Sequence, residues 1–265
     1  MAPAEVELRP SVDREWLDER ARADPLGHAY AVWDLEHFPD RVRFVSAVRQ
    51  GQTEGYLLIW PLPVGASVVH WVGPAALAPW LAPALPPRPI VVVGPDGIRP
   101  SVEAGRGPLT GYRISVAMAP LGHVPASTPL DGEVRRLQPA DRPRLVAFAG
   151  AHTDRLGNGY AGIDPGMVPV WGGFEGGRLV ALTNANVRLP RVWILSGVFV
   201  DPAARGRGWG RAVVRAVMVA AAEAGAACAL YVPETRAPAR ALYQELGFRA
   251  IDERVWLDAG VDWMP

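Results

Sequence analysis

The sequence predicts an α+β protein made of two similar domains, each with a central mixed β-sheet flanked by helices. The chain has 265 residues, enough for two domains. Hydrophobic residues make up 49% of it and charged residues 20%, so apolar side chains suffice for packed cores. Short apolar runs and helical patterns follow one another in the same order in both halves, which indicates a diverged internal duplication.

The second half has the clearer pattern, because Gly and Pro separate its elements. Strands are predicted at 133–139, 168–177, 178–188, 192–202, 227–234 and 248–260, the last as a strand or a hairpin. Helices are predicted at 140–152, 209–226 and 236–248. Gly225 and Gly247 mark the ends of the last two helices. The run VWILSGVFV is almost wholly apolar, so we expect this strand to be buried on both faces.

The first half repeats this order less distinctly. Helices are predicted at 11–24, 28–38 and 74–85, and strands at 42–51, 55–63, 67–73, 89–95 and 112–120. The proline-bearing stretch GHVPASTPLDG, residues 122–132, is the predicted linker. We therefore expect one domain over residues 1–125 and a second over residues 130–265.

Charge and residue types exclude several functions. The 27 basic and 27 acidic residues give a formal net charge of zero, so no overall field attracts nucleic acid or an anionic membrane. Every basic residue is Arg, which excludes mechanisms that need a Schiff-base lysine or a Walker-loop lysine. Because Ala, Pro and Gly are also abundant, the composition indicates a GC-rich bacterial genome.

Cysteine and histidine usage points to a protein without disulfides or metals. The single cysteine, Cys228, forms no internal disulfide, and we expect it to be a small buried residue. The five histidines show no metal-ligand spacing. The N-terminal segment lacks a signal-peptide pattern and no apolar run is long enough to span a membrane. We expect a soluble cytoplasmic protein, either a monomer or a homodimer.

The segment VFVDPAARGRGWGRAVV, residues 198–214, joins a predicted strand to a predicted helix and has the properties of an anion site. A helix N-terminus carries partial positive charge and unpaired N–H groups, and glycines allow an anion to approach the backbone. Arg205 and Arg207 add positive charge. Several donors in succession fit a diphosphate better than a single carboxylate. The glycine spacing and the late position of the strand disfavour a dinucleotide-binding motif.

Part of this segment, VDPAARGRGWG, resembles the pyrophosphate loop of the GNAT superfamily of N-acetyltransferases. The R/Q-x-x-G-x-G/A core of that loop falls on Arg205, Gly208 and Gly210. A second segment, ARALYQELGFRA at 239–250, is similar to the family's A-x-x-L-Y-x-x-x-G-F segment. The predicted element order over residues 133–260 also agrees with the GNAT fold. The resemblance covers nearly the whole second half and implies an acyltransferase that uses acetyl-CoA and no metal.

The resemblance also implies roles for individual residues. Tyr243 would donate a proton to the leaving CoA thiolate, although a tyrosine that only packs the helix is the alternative. Main-chain donors between the strands would stabilise the oxyanion as a substrate amine attacks the thioester directly. The strand-like partner of the pantetheine arm would be the main chain of Val198, Phe199 and Val200. The pyrophosphate would be held by main-chain groups of Arg205, Gly206, Arg207, Gly208, Trp209 and Gly210.

The general base is not identified by the sequence. Many family members have Glu on the strand before the loop, where VWILSGV offers only Ser196. A water relay or an amine that is already partly neutral is equally admissible. Arg236 stands where many relatives have Asn, so the expected CoA contact of that position is in doubt. Four other side chains are candidates for the base: Glu175, Asp164, Glu234 and His152.

The corresponding stretch of the first half, HWVGPAALAPWL at 70–81, has neither an Arg nor a G-x-G pattern. We therefore expect this half to bind no CoA, to pack against the second half and to supply one wall of the acceptor pocket. The layout resembles tandem GNAT proteins with one degenerate half, such as the mycothiol synthase and glycine N-acyltransferase-like groups. The expected function is acetyl transfer to a small-molecule amine, and the alternatives are a CoA-binding pseudoenzyme or scaffold and a protein N-acetyltransferase.

Overall fold

The structure is a computed structural model that describes residues 5–63, 65–120, 122, 124–126, 129–153 and 162–260. Its strands are β1 Val6–Arg9, β2 Arg43–Arg49, β3 Gln52–Pro61, β4 Ser67–Val72, β5 Ile90–Gly94, β6 Gly111–Pro120, β7 Glu133–Arg136, β8 Val170–Glu175, β9 Arg178–Arg188, β10 Val192–Val200, β11 Ala227–Pro233 and β12 Phe248–Ala259. Its α-helices are α1 Arg14–Ala23, α2 Ala29–His37, α3 Ala78–Leu81, α4 Arg99–Arg106, α5 Arg142–Ala151, α6 Trp209–Glu223 and α7 Ala237–Glu245.

The α+β class is confirmed, but the strands form one mixed sheet rather than the two separate sheets expected. The strand order is β1-β2-β3-β4-β5-β12-β6-β11-β10-β9-β8-β7. The chain divides into two compact units, the first made of Met1–Val116 and Asp252–Pro265 and the second of Ala117–Ile251. Strand β6 has residues in both units, as does β12.

In the first unit, β1 to β4 are antiparallel and β5 lies parallel to β4. Strand β5, IVVVG, is buried along its whole length because it has a neighbour on each side. The second neighbour of β5 is β12, the last strand. The two strands are antiparallel, with Val255 opposite Gly94 and Ala259 opposite Ile90. The extreme C-terminal strand therefore completes the sheet of the N-terminal unit.

In the second unit, β7 to β10 are antiparallel and β11 lies parallel to β10. Helix α6 buries Trp209 and Val213 in a cluster with Val180 on β9. Helix α5 buries Leu145 and Phe148 in a second cluster. The long helix α6 is amphipathic at the predicted spacing, and its packing fixes the position of its N-terminus.

Several elements differ from the sequence prediction. Strand β1 and helix α4 were not predicted, because one is four residues long and the other, RPSVEAGR, contains a proline and a glycine. The predicted helix 74–85 is a 3₁₀ turn followed by the single helical turn α3, since Pro79 and Pro83 cannot donate helical hydrogen bonds. Strand β12 is continuous, not a hairpin. No helix among the described residues is long and apolar enough to cross a membrane.

Candidate functional site

Strands β10 and β11 run side by side and then part. They are paired in parallel from Val192–Leu195 on β10 to Ala227–Leu230 on β11. Beyond this pairing β10 continues to Val200 and β11 to Pro233. The β10–β11 pairing does not extend beyond Leu195 and Leu230, and strand edges that part in this way can accept an extended ligand. This strand gap is the first part of the candidate site.

A bulge in β10 accounts for the gap. The register between β10 and β9 shifts between Ser196 and Phe199, and Gly197 within the bulge has a φ of +61°. Glycine is required there because a left-handed backbone is unfavourable for residues with a Cβ atom. Pairing with β9 resumes at Phe199 and continues to Val200. Since a bulged strand bends, β10 turns out of its pairing with β11 at this point.

The side chains at the end of β10 are used in packing. Val198 and Val200 pack in the cluster that contains Trp209. Phe199 points to the other face, as expected for alternate strand residues, and its ring centroid lies 5.8 Å from that of Phe148 and 5.0 Å from that of His152. The side chains of these three strand residues are therefore used in packing, and their predicted role concerns the main chain alone.

A small buried polar cluster lies beside the bulge and was not predicted. Ser196 Oγ donates to Asn184 Oδ1 at 2.6 Å, and Thr183 Oγ1 donates to the Ser196 carbonyl at 3.0 Å. Thr183 is fully buried and Asn184 nearly so. These hydrogen bonds hold the bulged main chain in place. The sequence signal for this cluster is the adjacent pair Thr183 and Asn184 within the mostly apolar strand RLVALTNANV.

Asp201 ends β10 and starts the loop. Its Oδ1 accepts from the main-chain N–H of Ala203 at 2.9 Å and its Oδ2 accepts from Arg178 Nη1 at 2.7 Å. The hydrogen bond from the Ala203 N–H, aided by Arg178, lowers the pKa of this carboxyl below its usual value. The carboxylate is therefore ionised at neutral pH, and it fixes the 3₁₀ turn that leads into the glycine-rich segment.

The glycine-rich segment has the backbone geometry of an anion site. Gly206 and Gly208 have φ angles of +74° and +87°. Gly208 is the N-cap of α6, and the first hydrogen bond into the helix runs from the Ala212 N–H to the Gly208 carbonyl at 3.0 Å. The N–H groups of the first helical turn precede that bond and have no carbonyl in their own helix. They point outward from the positive end of a 15-residue helix.

Close packing anchors this helix start. The Trp209 side chain is 2% exposed, so only its main chain is available to a ligand. A Cβ on Gly132 or on Gly173 would lie 2.6 Å from the indole, so both glycines leave room for it. A Cβ on Gly210 would lie 2.9 Å from Leu242 Cδ1 on α7. The first turn of α6 is thus held between β8 and α7 before any ligand binds.

Arginines surround the helix start. Arg205 Nε donates to the Val200 carbonyl at 3.3 Å and so braces the loop. Arg207 and Arg211 form ion pairs with Glu175 and Glu245 respectively. Arg215 Nε donates to the Pro125 carbonyl at 2.6 Å. The positively charged residues that line an open cavity of about 600 Å³, together with Gly206 and Gly208, are Arg207, Arg211 and Arg215.

Tyr243 lies on α7, one residue after Leu242. Its side chain is 7% exposed and its ring centroid lies 5.9 Å from that of Phe248. Burial raises its pKa to about 12, against the smaller opposing effect of Arg236. The hydroxyl is therefore protonated at neutral pH, as a proton donor must be. Arg236 itself is exposed, and Arg240 Nη1 donates to the Glu234 carbonyl at 3.4 Å.

The four candidate bases have different surroundings. Glu175 is the partner of Arg207, and Asp164 Oδ1 accepts from the Gly166 N–H at 2.9 Å in a local turn. Glu234 is exposed just after β11. His152, at the end of α5, contacts β10 through the ring of Phe199. Of these side chains, His152 is the one with a described contact to the strand that carries the gap.

Cys228 is confirmed as a buried residue on β11, and burial raises the pKa of its thiol to about 12. Such a thiol is not a nucleophile at neutral pH. Within the described ranges, no group of three or more His, Cys, Asp or Glu side chains is placed to hold a metal ion.

The part of the chain that contains the candidate site matches a known protein family. Residues 170–257, from β8 into β12, match the family described as FR47-like protein. No curated protein matches the sequence.

Solved structures match over nearly the full length. A Drosophila protein is 18% identical, with a TM-score of 0.70 over 96% of this chain and 99% of that one. A GCN5-related N-acetyltransferase from Sphaerobacter thermophilus is 16% identical, with a TM-score of 0.63 over 99% of each chain. A tandem GNAT protein from the clavulanic acid biosynthesis pathway is 16% identical, with a TM-score of 0.60 over 97% of this chain and 100% of that one. At such identities the similarity concerns the fold.

Proposed function

We propose that this chain, which has the GNAT fold and an FR47-like segment at residues 170–257, is an acyl-CoA dependent N-acyltransferase that uses acetyl-CoA. The acceptor in this proposal is the amine of a small molecule. The sequence resemblance to the GNAT superfamily is confirmed by these matches, while the reaction and its residues are inferred from the geometry of the second unit.

One observation carries the proposal: the gap between β10 and β11 leads directly to the glycine-rich start of α6. An extended arm with amide groups can pair with the main chain of strands that part from each other, and a diphosphate can bind at a helix N-terminus. A ligand that joins an amide-bearing arm to a diphosphate fits both parts in the order in which the chain presents them. Acetyl-CoA has this structure.

Each part of that ligand has a partner among the described residues. The main chain of Val198, Phe199 and Val200 would pair with the pantetheine amides. The N–H groups from Gly206 to Gly210 would bind the diphosphate oxygens, whereas the Arg205 N–H already donates to the Pro202 carbonyl at 3.4 Å. The arginines of the 600 Å³ cavity would balance the remaining phosphate charge. The ion pairs of Arg207 and Arg211 with glutamates lie at the surface and are therefore weak enough to be exchanged.

The reaction follows from the same groups. The amine lone pair attacks the thioester carbonyl carbon, and main-chain N–H groups in the strand gap stabilise the negative charge that develops on the carbonyl oxygen. The C–S bond then breaks, and the sulfur takes a proton from the Tyr243 hydroxyl. The new amide nitrogen loses its extra proton to water, and the Tyr243 phenolate takes up a proton from water, which restores neutrality and regenerates the phenol. Strand β10 carries no carboxylate, so we infer that the amine enters neutral after losing its first proton to water.

The first unit lacks these features in the equivalent position. Strand β4 leads into GPAAL and the four-residue helix α3, which is preceded by Pro74 and carries Pro79. A helix of one turn has little dipole and the segment has no arginine, so we propose that CoA binds to the second unit alone.

Calorimetry and a thiol-release assay test the function together. Acetyl-CoA titrated into the protein should bind with a stoichiometry of a single molecule per chain. Free CoA thiol should then appear only when an amine is added, in a panel of amino acids, aminoglycosides and other small amines. Absence of acetyl-CoA binding would refute the proposed function. Binding of two acetyl-CoA molecules per chain would refute the proposal that CoA binds to the second unit alone.

A second function is favoured by one observation, the lack of a carboxylate on β10. A protein that binds CoA without transferring the acyl group would need the gap and the loop but no base. Tight acetyl-CoA binding without thiol release, for any amine and for peptide N-termini, would identify this protein as a CoA-binding regulator or scaffold.

A further inference from the structure

A second cavity, of about 700 Å³, lies in the first unit and contains none of the residues of the candidate site. It is located at the edge of the sheet. Strand β1 pairs with β2 only from Ser46 to Arg49, and the cavity is lined by the preceding β2 residues, Arg43 to Val45. Pro10 and Ser11, where the chain leaves β1, line it as well. It therefore lies beyond the end of β1, beside the part of β2 that β1 does not pair with.

The walls of this cavity are apolar. Phe44 belongs to the core cluster under α1 and α2, whereas Ile59 belongs to the cluster under α3 and α4. Leu35 and Val42 extend the first wall and Ala84 extends the second. An apolar ligand would therefore contact residues that are already fixed by two packed cores.

The rim of the cavity is conformationally restricted. Pro10, Pro61, Pro86 and Pro87 are part of the lining, and proline fixes φ and cannot donate a hydrogen bond. A rim of this kind changes little on binding, so the cavity is preformed. Its volume lies within the range of small-molecule sites, about 300–1,000 Å³.

The polar groups of the cavity are few. They are the hydroxyl-bearing Ser11 and Ser67 and the cation Arg43, which is the only charged side chain among the described residues that line the cavity. In the described part of the chain, no ion pair or hydrogen bond of the Arg43 side chain is present. By contrast, Arg49 on the same strand is paired with Glu54 at 3.0 Å, and Arg41 lies 4.7 Å from the Trp60 ring centroid.

We propose that this cavity is a binding site for a small apolar molecule that carries a carboxylate. The two apolar walls would bury its body, and the planar Arg43 guanidinium would bind its carboxylate with two parallel hydrogen bonds. A neutral apolar molecule would gain nothing from the guanidinium, since Arg43 is exposed and stays hydrated. A dianionic or strongly polar molecule would lose its hydration against the apolar walls without compensation.

Octanoate and 1-octanol are a matched pair of probes, because they share a chain and differ in the charged group. Calorimetric titration of the full chain should give saturable octanoate binding, at least about tenfold tighter than that of 1-octanol. Arg43→Gln should weaken octanoate binding about tenfold and leave 1-octanol unchanged. Arg41→Gln, the control, removes a nearby cation that does not line the cavity and should bind octanoate like the parent.

Two substitutions fill the cavity from opposite sides. Ser11→Trp alters an exposed loop residue, and Ala84→Phe alters the opposite wall. Either variant should abolish octanoate binding while its acetyl-CoA binding, measured in parallel, stays at the parental level. The parallel titration separates this inference from the proposed function. Equal affinity for both probes, parental binding by Arg43→Gln, or binding that persists in a folded filled variant would overturn it.

Discussion

The indole of Trp209 occupies the space that a side chain on Gly173 would need, because a Cβ atom there would lie 2.6 Å from Trp209 Cε3. Gly173 lies on β8, and Trp209 is the first residue of α6. A glycine in a strand therefore sets the position of the helix N-terminus that forms the candidate anion site. The contact joins residues 36 positions apart in the sequence.

Gly173→Ala should destabilise the protein by about 1–3 kcal/mol, because the added methyl group overpacks a fully buried contact. Urea unfolding measures this change. Gly150→Ala in α5 is the control: a Cβ there meets nothing within 4 Å, so it should be neutral or stabilise by up to about 1 kcal/mol. Equal stability of the two variants would contradict the anchoring role of the contact.

Gly208→Ala should weaken acetyl-CoA binding. Its φ of +87° is unfavourable for alanine by about 1–2 kcal/mol, so the loop would leave the geometry in which its N–H groups converge. Gly225→Ala is a matched control, since Gly225 follows the other end of α6 with a φ of +76° and open space around its Cα. Both variants should lose similar stability in unfolding experiments, but calorimetry should show loss of acetyl-CoA affinity in Gly208→Ala alone.

Tyr243→Phe should lower kcat about 10²-fold or more and leave acetyl-CoA affinity unchanged, if the hydroxyl protonates the leaving thiolate. The ring would keep its packing against Phe248, so the fold should be preserved. Steady-state thiol release and calorimetry separate the two quantities. Tyr112→Phe, which removes a hydroxyl that donates to Asp96 in the first unit, should behave like the parent. A parental kcat in Tyr243→Phe would leave this tyrosine a packing role only.

Asp34 should make stability depend on pH. Its carboxyl is 9% exposed, and burial raises its pKa to about 7. Between the usual carboxyl pKa and about pH 7, Asp34 is therefore protonated in the folded protein but ionised in the unfolded chain. The stability contributed by the neutral form is fully present below the usual carboxyl pKa and is lost as the pH rises to about 7.

Asp34→Asn removes that titration. Urea unfolding should show the variant gaining stability relative to the parent between pH 5 and pH 8, by about 2 kcal/mol or more. Asp18→Asn removes an exposed carboxylate paired with Arg14, and its effect should stay within about 1 kcal/mol at both pH values. A difference between Asp34→Asn and the parent that does not vary with pH would mean that Asp34 is ionised throughout.

Local sequence signals predicted much of the second unit. Helix α6 begins at Trp209 as predicted, and Gly225 follows its end with the left-handed backbone expected of such a residue. The end of β10 and the Asp201 turn agree to within two residues. These features were predictable because caps, turns and helical periodicity depend on residues that are neighbours in the chain.

Features that depend on distant residues were not predictable in this way. The polar contact of Ser196 with Asn184 joins two strands, and neither strand alone specifies the register that brings these two residues together. The four residues of β1 form a strand only because β2 supplies their partners. The cavity beside Arg43 likewise arises because β1 is shorter than β2, a relation that no periodic pattern expresses.

The sequence by itself determined the glycine-rich loop and the helix behind it, since both rest on local backbone preferences and apolar spacing. Tertiary structure alone decided where the last strand goes. Val255 to Ala259 follow the second unit in the chain, yet they pair with β5 of the first. The physical reason is that an apolar strand pairs equally well with any free edge of matching register, so its place depends on which edge the rest of the fold leaves open.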